Sequence, residues 1–485
     1  MKSVALHNLG CKVNAYEMDV MQQMLQEKGY IIVPFDEVAD IYIINTCTVT
    51  NIADRKSRQM LHQAKARNPK AVVVAAGCYV QTGGKQALLD DSVDLAVGNN
   101  RKKDLVPILE EFLQRREQAD AGIGTDTETG TDNEAGTEEI TAEKTVDDTS
   151  VIDVNAGCDY EEMTLKHTAD HTRAYIKIQD GCNQFCSYCV IPFARGRVRS
   201  RRLEDIKNEL NGLAKAGYRE VVLTGIHISS YGVDFDDEAW KNGESVVSVR
   251  ETGRRDYASC SKLLDLLERI QDIEGIERIR LGSLEPRIIT DEAAKRLSAI
   301  PKLCPHFHLS LQSGCDATLK RMNRHYTTAE YDACVQRLRA VFPHPAITTD
   351  VIVGFPGETE EEFEETFAFL QRISFFEMHI FKYSKRKGTR AAEMPGQVSG
   401  KIQTQRSNRL FDLEKEQSDA FRSFYVGQTV EVLFEEEKQI EGKRYYIGHT
   451  REYVRVAKQT SESLSNQLLT GKITGFLQDG ILLME

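Results

Sequence analysis

Three cysteines at CxxxCxxC spacing dominate the chain: Cys182, Cys186 and Cys189, in Gln179-Asp180-Gly181-Cys182-Asn183-Gln184-Phe185-Cys186-Ser187-Tyr188-Cys189, directly after a strand-like run over 173–178. Three thiolates on one tight loop can ligate three irons of a cubane iron–sulfur cluster. The fourth iron is left without a protein ligand, and that open corner suits a small molecule carrying an amine and a carboxylate. The alternatives are a three-cysteine zinc knuckle or buried free thiols. Structural zinc usually takes four closed ligands, often as two pairs. No downstream pair completes this one, and none of the eleven histidines falls at ligand spacing to the loop.

Residues 1–117 alternate strand and helix patterns: strands over 2–7, 41–44 and 71–76, helices over 15–28 and 54–66. That order predicts a parallel sheet covered by helices. One cysteine follows each strand: Cys11, Cys47 and Cys78. Ligands of open α/β sheets bind beyond the carboxyl ends of the strands, so the three would converge on one edge as a second three-thiolate site. Taken singly, each also reads as a small buried hydrophobe.

Residues 118–170 form an acidic stretch, with 118–149 reading as a disordered insertion or solvated linker. From 171 to 420 the alternation resumes. Strand-like runs lie at 173–178, 220–224, 278–281, 306–309, 349–353 and 376–381; helical runs lie at 203–216, 260–270, 291–299, 329–341 and 360–373. The last opens with a capping-box pair, Thr359 and Glu362. Six such units predict an open, partial (βα)6 barrel, whose chemistry sits at the C-terminal mouth. The cysteine loop follows the first strand, as that rule requires. Other strand ends carry polar and glycine residues suited to a polar cofactor: Thr224 and Gly225, Ser283 and Glu285, and Gln312. Residues 233–259, with Trp240, read as an acidic surface-loop insertion.

Two basic runs stand out: Arg195, Arg197, Arg199, Arg201 and Arg202 after the cysteine loop, and Lys382, Lys385, Arg386, Lys387 and Arg390 near the last strand. The first is a candidate phosphate contact; the alternative is an ordinary solvated face. Residues 403–422 read as a charged helix. Residues 421–485 then carry short alternating strands with glycine turns, a small β-barrel of the kind that grips oligonucleotides; a purely structural barrel is the other reading.

Eleven cysteines with no signal-peptide pattern point to metal or catalysis in a cytoplasmic protein, not to disulfides. No apolar run reaches the roughly 18–20 residues of a membrane span, so no membrane partner is expected. The net charge of −12 is uneven: residues 117–170 carry about −14 and leave about +2 elsewhere, so charge does not exclude RNA.

The cysteine spacing, with Tyr188 before the third cysteine, resembles the radical S-adenosylmethionine enzymes. The order of parts resembles the methylthiotransferases among them: an N-terminal three-cysteine domain, a radical barrel and a small C-terminal TRAM barrel. Leu9-Gly10-Cys11-Lys12-Val13-Asn14 and Asn45-Thr46-Cys47-Thr48-Val49-Thr50 are similar to the MtaB branch. The resemblance covers nearly the whole chain except the two acidic insertions. It implies methylthio insertion at adenine C2 of N6-threonylcarbamoyladenosine at tRNA position 37. A [4Fe-4S] cluster on Cys182, Cys186 and Cys189 would cleave S-adenosylmethionine to a 5′-deoxyadenosyl radical, and a second on Cys11, Cys47 and Cys78 would present sulfur. No catalytic side chain beyond these ligands is expected. Tyr188, Thr224, Gly225, Ser283, Glu285 and Gln312 are expected at the cofactor, Arg195, Arg197, Arg199 and Arg201 at RNA. The partners implied are a tRNA anticodon stem-loop and an electron donor such as flavodoxin or ferredoxin. Left open are the same chemistry on isopentenyladenosine tRNA or a ribosomal protein, and a non-catalytic RNA-binding protein with structural metal.

Overall fold

The computed structural model describes residues 1–83, 90–122, 150–166, 172–245 and 261–485, the side chains of 120–122 excepted. The chain divides into two compact units: Met1–Met163 with Phe193–Arg195, and Thr164–Pro192 with Gly196–Glu485.

The first unit is built on a five-stranded sheet in the order Ile31–Val33, Ser3–Asn8, Ile41–Thr46, Val72–Gly77, Leu95–Val97. Every pairing is parallel. Ile41–Thr46 and Val72–Gly77 are buried throughout, which is why 41–44 and 71–76 read as apolar runs without alternation: a strand covered on both faces has no polar side to alternate with. Helices Lys12–Glu27 and Asn51–Arg67 follow their strands as expected, the second capped by the Thr50 side chain, which accepts from Ala53 N. The three-residue edge strands are too short to leave a periodic signal. Helix Leu105–Gly122 carries regular structure past residue 117.

The acidic stretch is only partly described. Residues 123–149, most of the expected disordered insertion, lie outside the described residues. Residues 150–163 belong to the first unit. Val154 and Met163 are buried, the Gln81 side chain donates to Ile152 O at 2.7 Å, and Gly98 N donates to Ser150 O at 2.8 Å. Apolar side chains among the acids are what anchor this part.

In the second unit six strands lie in the expected order: Arg173–Asp180, Glu220–Gly225, Arg278–Leu281, His306–His308, Ala346–Val353 and Glu377–Lys382. The first three pair in parallel, as do the last three. Isolated bridges Ile279↔Leu303 and Leu284↔Leu309 join the two sheets. A two-residue strand, Arg199–Ser200, runs antiparallel to the first. The crossover helices Leu203–Lys215, Ser261–Ile270, Asp291–Ser298, Thr328–Val341 and Glu360–Ile373 match the sequence reading, and the Thr359–Glu362 capping box is formed. Cys260, the expected helix start, lies outside the described residues.

The described part of the second insertion is not the surface loop expected. Residues 246–259 lie outside the described residues, but 233–245 fold back on the unit. Trp240 is buried, stacks on Phe235 with ring centroids 5.5 Å apart, and donates from Nε1 to Asp265 at 2.8 Å. An indole gains too much by burial to stay in a solvated loop.

Helix Gly400–Ser423 leads to a closed five-stranded barrel of Thr429–Ile440, Lys443–His449, Arg455–Gln459, Ile481–Met484 and Gln467–Gln478. Closure leaves no exposed strand edge. Val432, Phe434, Val454, Val456, Ile473 and Leu482 fill the core, with Ala346 and Phe376 packed against them. Among the described residues no helix is long and apolar enough to cross a membrane.

Candidate functional site

The loop after Arg173–Asp180 is held in shape by its own backbone and by the segment after helix Asp316–Arg321. Gly181 sits at φ +72°, and a Cβ there would lie 1.8 Å from Arg197 O, so only glycine lets the two segments approach. Cys182 N donates to Gly196 O and Cys189 N to Cys186 O, both at 3.0 Å. The Ser187 hydroxyl donates to Arg321 O at 2.8 Å, and Asn323 Nδ2 donates to Phe185 O at 3.0 Å.

Two donors point at sulfur: Gln184 N to Cys182 Sγ at 3.4 Å and Arg324 Nη1 to Cys186 Sγ at 3.3 Å. A peptide N–H and a cation aimed at sulfur suit thiolates that hold metal, so the loop fits an iron–sulfur cluster. Burial pushes the free Cys182 thiol up to about 12 and raises that of Cys189 as well. These thiols ionise at neutral pH only against metal. Tyr188 packs its ring edge-on to Phe355, centroids 6.3 Å apart, and burial raises its hydroxyl well above the ordinary range.

The strand-end residues surround this loop unevenly. Glu285, buried, accepts from Gln184 Nε2 at 2.9 Å, pairs with His227 Nε2 at 3.2 Å and accepts from Arg287 Nε at 2.6 Å. Burial opposes its ionisation. The hydrogen bond and charge of His227, with the charges of Arg324 and Arg287, outweigh it and hold the carboxyl at about 2. Gln312 adopts φ +74°, pinned by Gln312 N to Asp350 O at 2.8 Å and Ile352 N to Gln312 O at 2.9 Å. A non-glycine residue held in that region is a common mark of a ligand clamp. Thr224 is buried, a Cβ on Gly225 would meet Gln179 O at 2.8 Å, and Ser283 is exposed.

Inside the strands, His308, Asp350 and His379 gather their polar atoms within 4.8 Å of one another. His308 Nε2 lies 3.2 Å from the Asp350 carboxylate, and the two imidazoles stack with centroids 5.5 Å apart. Burial would raise the Asp350 carboxyl, but the His308 hydrogen bond and the neighbouring histidines and Arg324 keep it low.

The second candidate site lies in the first unit. Gly10 has φ +108°, and a Cβ there would be 2.9 Å from Cys47 Cβ, so the Cys11 and Cys47 loops touch. Cys11 and Cys47 each feel Cys78 electrostatically. Asn99 Nδ2 donates to Cys78 Sγ at 3.5 Å, again a donor suited to a metal-bound thiolate. The cysteines that follow three neighbouring strands of the sheet therefore lie near one another at its carboxyl end. Burial raises the Cys47 thiol to about 11 and that of Cys11 too, although Cys11 retains exposed surface.

The first basic run is corrected by the structure. Arg195 pairs with Glu17 at 2.5 Å, Arg201 pairs with Glu209, and Arg199 lies 3.7 Å from Asp180; all three arginines are buried. Buried carboxylates, one of them 178 residues away, turn an apparent basic face into internal ion pairs. Arg197 and Arg202 are exposed, Arg197 over the Phe185 ring at 4.5 Å. In the second run Lys382, Lys385, Lys387 and Arg390 are exposed. The sequence reading missed Arg324, Asn323, His227, Asn14 and Asn99. The nearest signal was the polar run Asn323-Arg324-His325-Tyr326 between two helices.

Residues 176–370 match the Radical SAM superfamily, and residues 3–98 match the Uncharacterized protein family UPF0004. The chain is 36% identical over 474 residues, 98% of its length and 94% of the relative's, to "Threonylcarbamoyladenosine tRNA methylthiotransferase MtaB" of Bacillus subtilis (strain 168). The chain belongs to the radical S-adenosylmethionine methylthiotransferase family. This methylthiotransferase is also 31% identical over 484 residues, 99% of its length and 88% of the relative's, to "tRNA-2-methylthio-N(6)-dimethylallyladenosine synthase" of Thermoanaerobacter sp. (strain X514). In fold it is similar to TsrM, a radical S-adenosylmethionine methyltransferase of Kitasatospora setae solved with cobalamin and a [4Fe-4S] cluster (TM-score 0.52, 15% identity, 81% of this chain and 77% of that one). A radical SAM transferase carries a [4Fe-4S] cluster and uses S-adenosylmethionine.

Proposed function

We propose that this methylthiotransferase inserts a methylthio group at C2 of N6-threonylcarbamoyladenosine at position 37 of tRNA. The observation that carries the reading is the 36% identity, spanning nearly both chains, to a relative so named. Cys182, Cys186 and Cys189 would hold the cluster at which S-adenosylmethionine binds, and Cys11, Cys47 and Cys78 a second [4Fe-4S] cluster. When bound, these groups supply one-electron cleavage of S-adenosylmethionine and the sulfur to be transferred, chemistry no side chain can perform on an unactivated C2–H.

The chain's own residues bind and orient. Arg324 steadies the Cys186 thiolate. Glu285, ionised at neutral pH, is the anion available to the cofactor's amine, with Ser283, Thr224, Gly225 and Gln312 as further polar contacts and Tyr188 closing the apolar side. Asp350, paired with His308, offers an acceptor to a purine amino edge inside the strands. An anticodon loop is unpaired, so its base is splayed into such a site at low cost. The exposed lysines of 382–390, Arg197 and the C-terminal barrel, TRAM-like in topology, form the RNA-facing surface of this reading. A flavodoxin or ferredoxin would deliver the electron, and the tRNA substrate fits a cytoplasmic enzyme.

The test is anaerobic turnover of anticodon stem-loops carrying threonylcarbamoyladenosine or isopentenyladenosine, read by nucleoside mass spectrometry. Methylthiolation of the first alone is the expected result. Reaction with the second alone would transfer the enzyme to the other tRNA branch, which the 31% relative represents.

A further inference from the structure

Six residues beyond Cys189, the short helix Ile191–Arg195 ends in two hydrogen-bonded tethers to the N-terminal cysteine loops. The guanidinium of Arg195, 1% exposed, donates from Nη2 to Asn14 Oδ1 at 2.6 Å, and spans both oxygens of Glu17 at 2.5 and 3.0 Å. Asn14 in turn donates to Leu9 O at 2.7 Å and Thr46 O at 3.0 Å. Those carbonyls belong to the turns that carry Cys11 and Cys47. The carbonyl of Ala194 accepts from Asn99 Nδ2 at 2.7 Å, the same amide that donates to Cys78 Sγ. One turn of chain thus fixes the supports of all three cysteines. Lys102 completes the group by pairing with Glu17, and both are fully buried. Two cations and one anion leave this buried trio at +1.

We propose that Arg195 is a positioning residue of the N-terminal cluster site, holding the three thiolate loops in register and supplying the positive charge that sets the potential of a cluster bound there. The inference rests on the reading that Cys11, Cys47 and Cys78 hold a cluster. A buried charge acts through a low dielectric, and cluster potentials follow net charge and the donors around the sulfurs. Adding an electron to a cluster held by three thiolates makes it more negative, and a nearby cation favours that state. Removing the cation lowers the midpoint potential; removing the anion raises it.

The experiment uses the full chain with Cys182, Cys186 and Cys189 all replaced by Ala, so that only the N-terminal site loads. Iron content, paramagnetic resonance and a redox titration are compared with and without Arg195→Gln, Arg195→Lys and Glu17→Gln. The Gln variant of Arg195 takes the trio to zero, and its midpoint is expected to fall. Glu17→Gln takes it to +2, and its midpoint is expected to rise. Arg195→Lys keeps the charge and is expected to stay near the parent potential while its resonance spectrum changes, because one ammonium cannot span Glu17 and Asn14 together. If Arg195→Gln does not accumulate as folded protein, Glu17→Gln carries the test with the opposite sign. Unchanged midpoints in variants that retain iron, or equal shifts for Lys and Gln, would overturn the role. Absence of iron in the parent triple variant would instead remove the cluster reading on which it stands.

Discussion

The guanidinium of Arg324 stands 3.3 Å from the sulfur of Cys186 and also donates from Nε to the Tyr326 hydroxyl at 2.9 Å. The Tyr326 hydroxyl is anchored to Leu311 O at 2.6 Å, so the cation is fixed relative to the fourth strand end. A charged donor on a cluster thiolate lowers its electron density and orients the ligand. Arg324→Met should retain iron near the parent level yet cut S-adenosylmethionine cleavage roughly 10–100-fold, the usual cost of removing such a partner. Arg324→Lys should lose less. The readout is 5′-deoxyadenosine under dithionite reduction; undiminished release in the Met variant would make Arg324 a packing residue only.

Glu220 ties together the three neighbouring strands Arg173–Asp180, Glu220–Gly225 and Arg278–Leu281. It accepts from Arg280 Nε at 2.9 Å and lies near Arg173 and Arg278. Burial would raise its carboxyl, but Arg280, Arg173 and Arg278 outweigh that and hold it at about 2. Glu220→Gln leaves buried guanidiniums without their anion and should destabilise the fold by about 3–5 kcal/mol in denaturant unfolding. The pH dependence has a definite sign. A carboxyl depressed in the folded state adds stability above its unfolded value of about 4.5. That increment should fade as the pH falls from about 4.5 towards about 2 and be missing in the Gln variant. A parallel loss with pH in both proteins would sink the assignment.

The same arginines join the sheet to the C-terminal barrel. Arg278 donates to His449 O at 3.0 Å and Glu431 O at 3.1 Å, Arg280 donates to Arg451 O at 2.9 Å, and both Arg173 and Arg280 lie over the Tyr453 ring. Deleting 424–485 would uncover these groups, so weaker RNA binding by a truncated chain would report misfolding as much as a lost RNA surface.

The strand and helix order was legible because parallel strands and their covering helices write apolar runs and 3.6-residue periods into local sequence. The capping box at Thr359 and Glu362 was legible for the same reason: both partners lie within one turn. Arg324 was not, because its partner Cys186 is 138 residues away and nothing periodic marks the pair. Arg195, Arg199 and Arg201 were misread for a related reason. A basic run has the same composition whether it faces water or buried carboxylates, and Glu17 lies 178 residues from Arg195. Cys11, Cys47 and Cys78 escaped that limit only because equivalent positions in successive strand units are fixed by topology.

Cys47 separates the two halves of the proposed reaction. It is buried at the end of the strand Ile41–Thr46 and takes no part in the CxxxCxxC loop. Two cubanes correspond to about eight irons per chain and one to about four. Cys47→Ala should therefore bring reconstituted iron from about eight towards about four, leave S-adenosylmethionine cleavage intact and abolish methylthiolation. Full methylthiolation in that variant would end the two-cluster reading.

Lys385 and Lys387 are exposed on the segment after the last strand, beside the half-exposed Phe381. Unlike the buried Arg195, Arg199 and Arg201, both present exposed side chains to solvent, where a phosphate backbone can approach. Charge reversal at both, Lys385→Glu with Lys387→Glu, should weaken binding of an anticodon stem-loop while leaving cleavage of S-adenosylmethionine alone unchanged. Each lost phosphate contact should also flatten the log–log salt dependence of affinity by about one unit. The binding titration is therefore run at several ionic strengths, because a fall in affinity with an unchanged salt slope would mean that these lysines act on the protein's shape and not on the RNA.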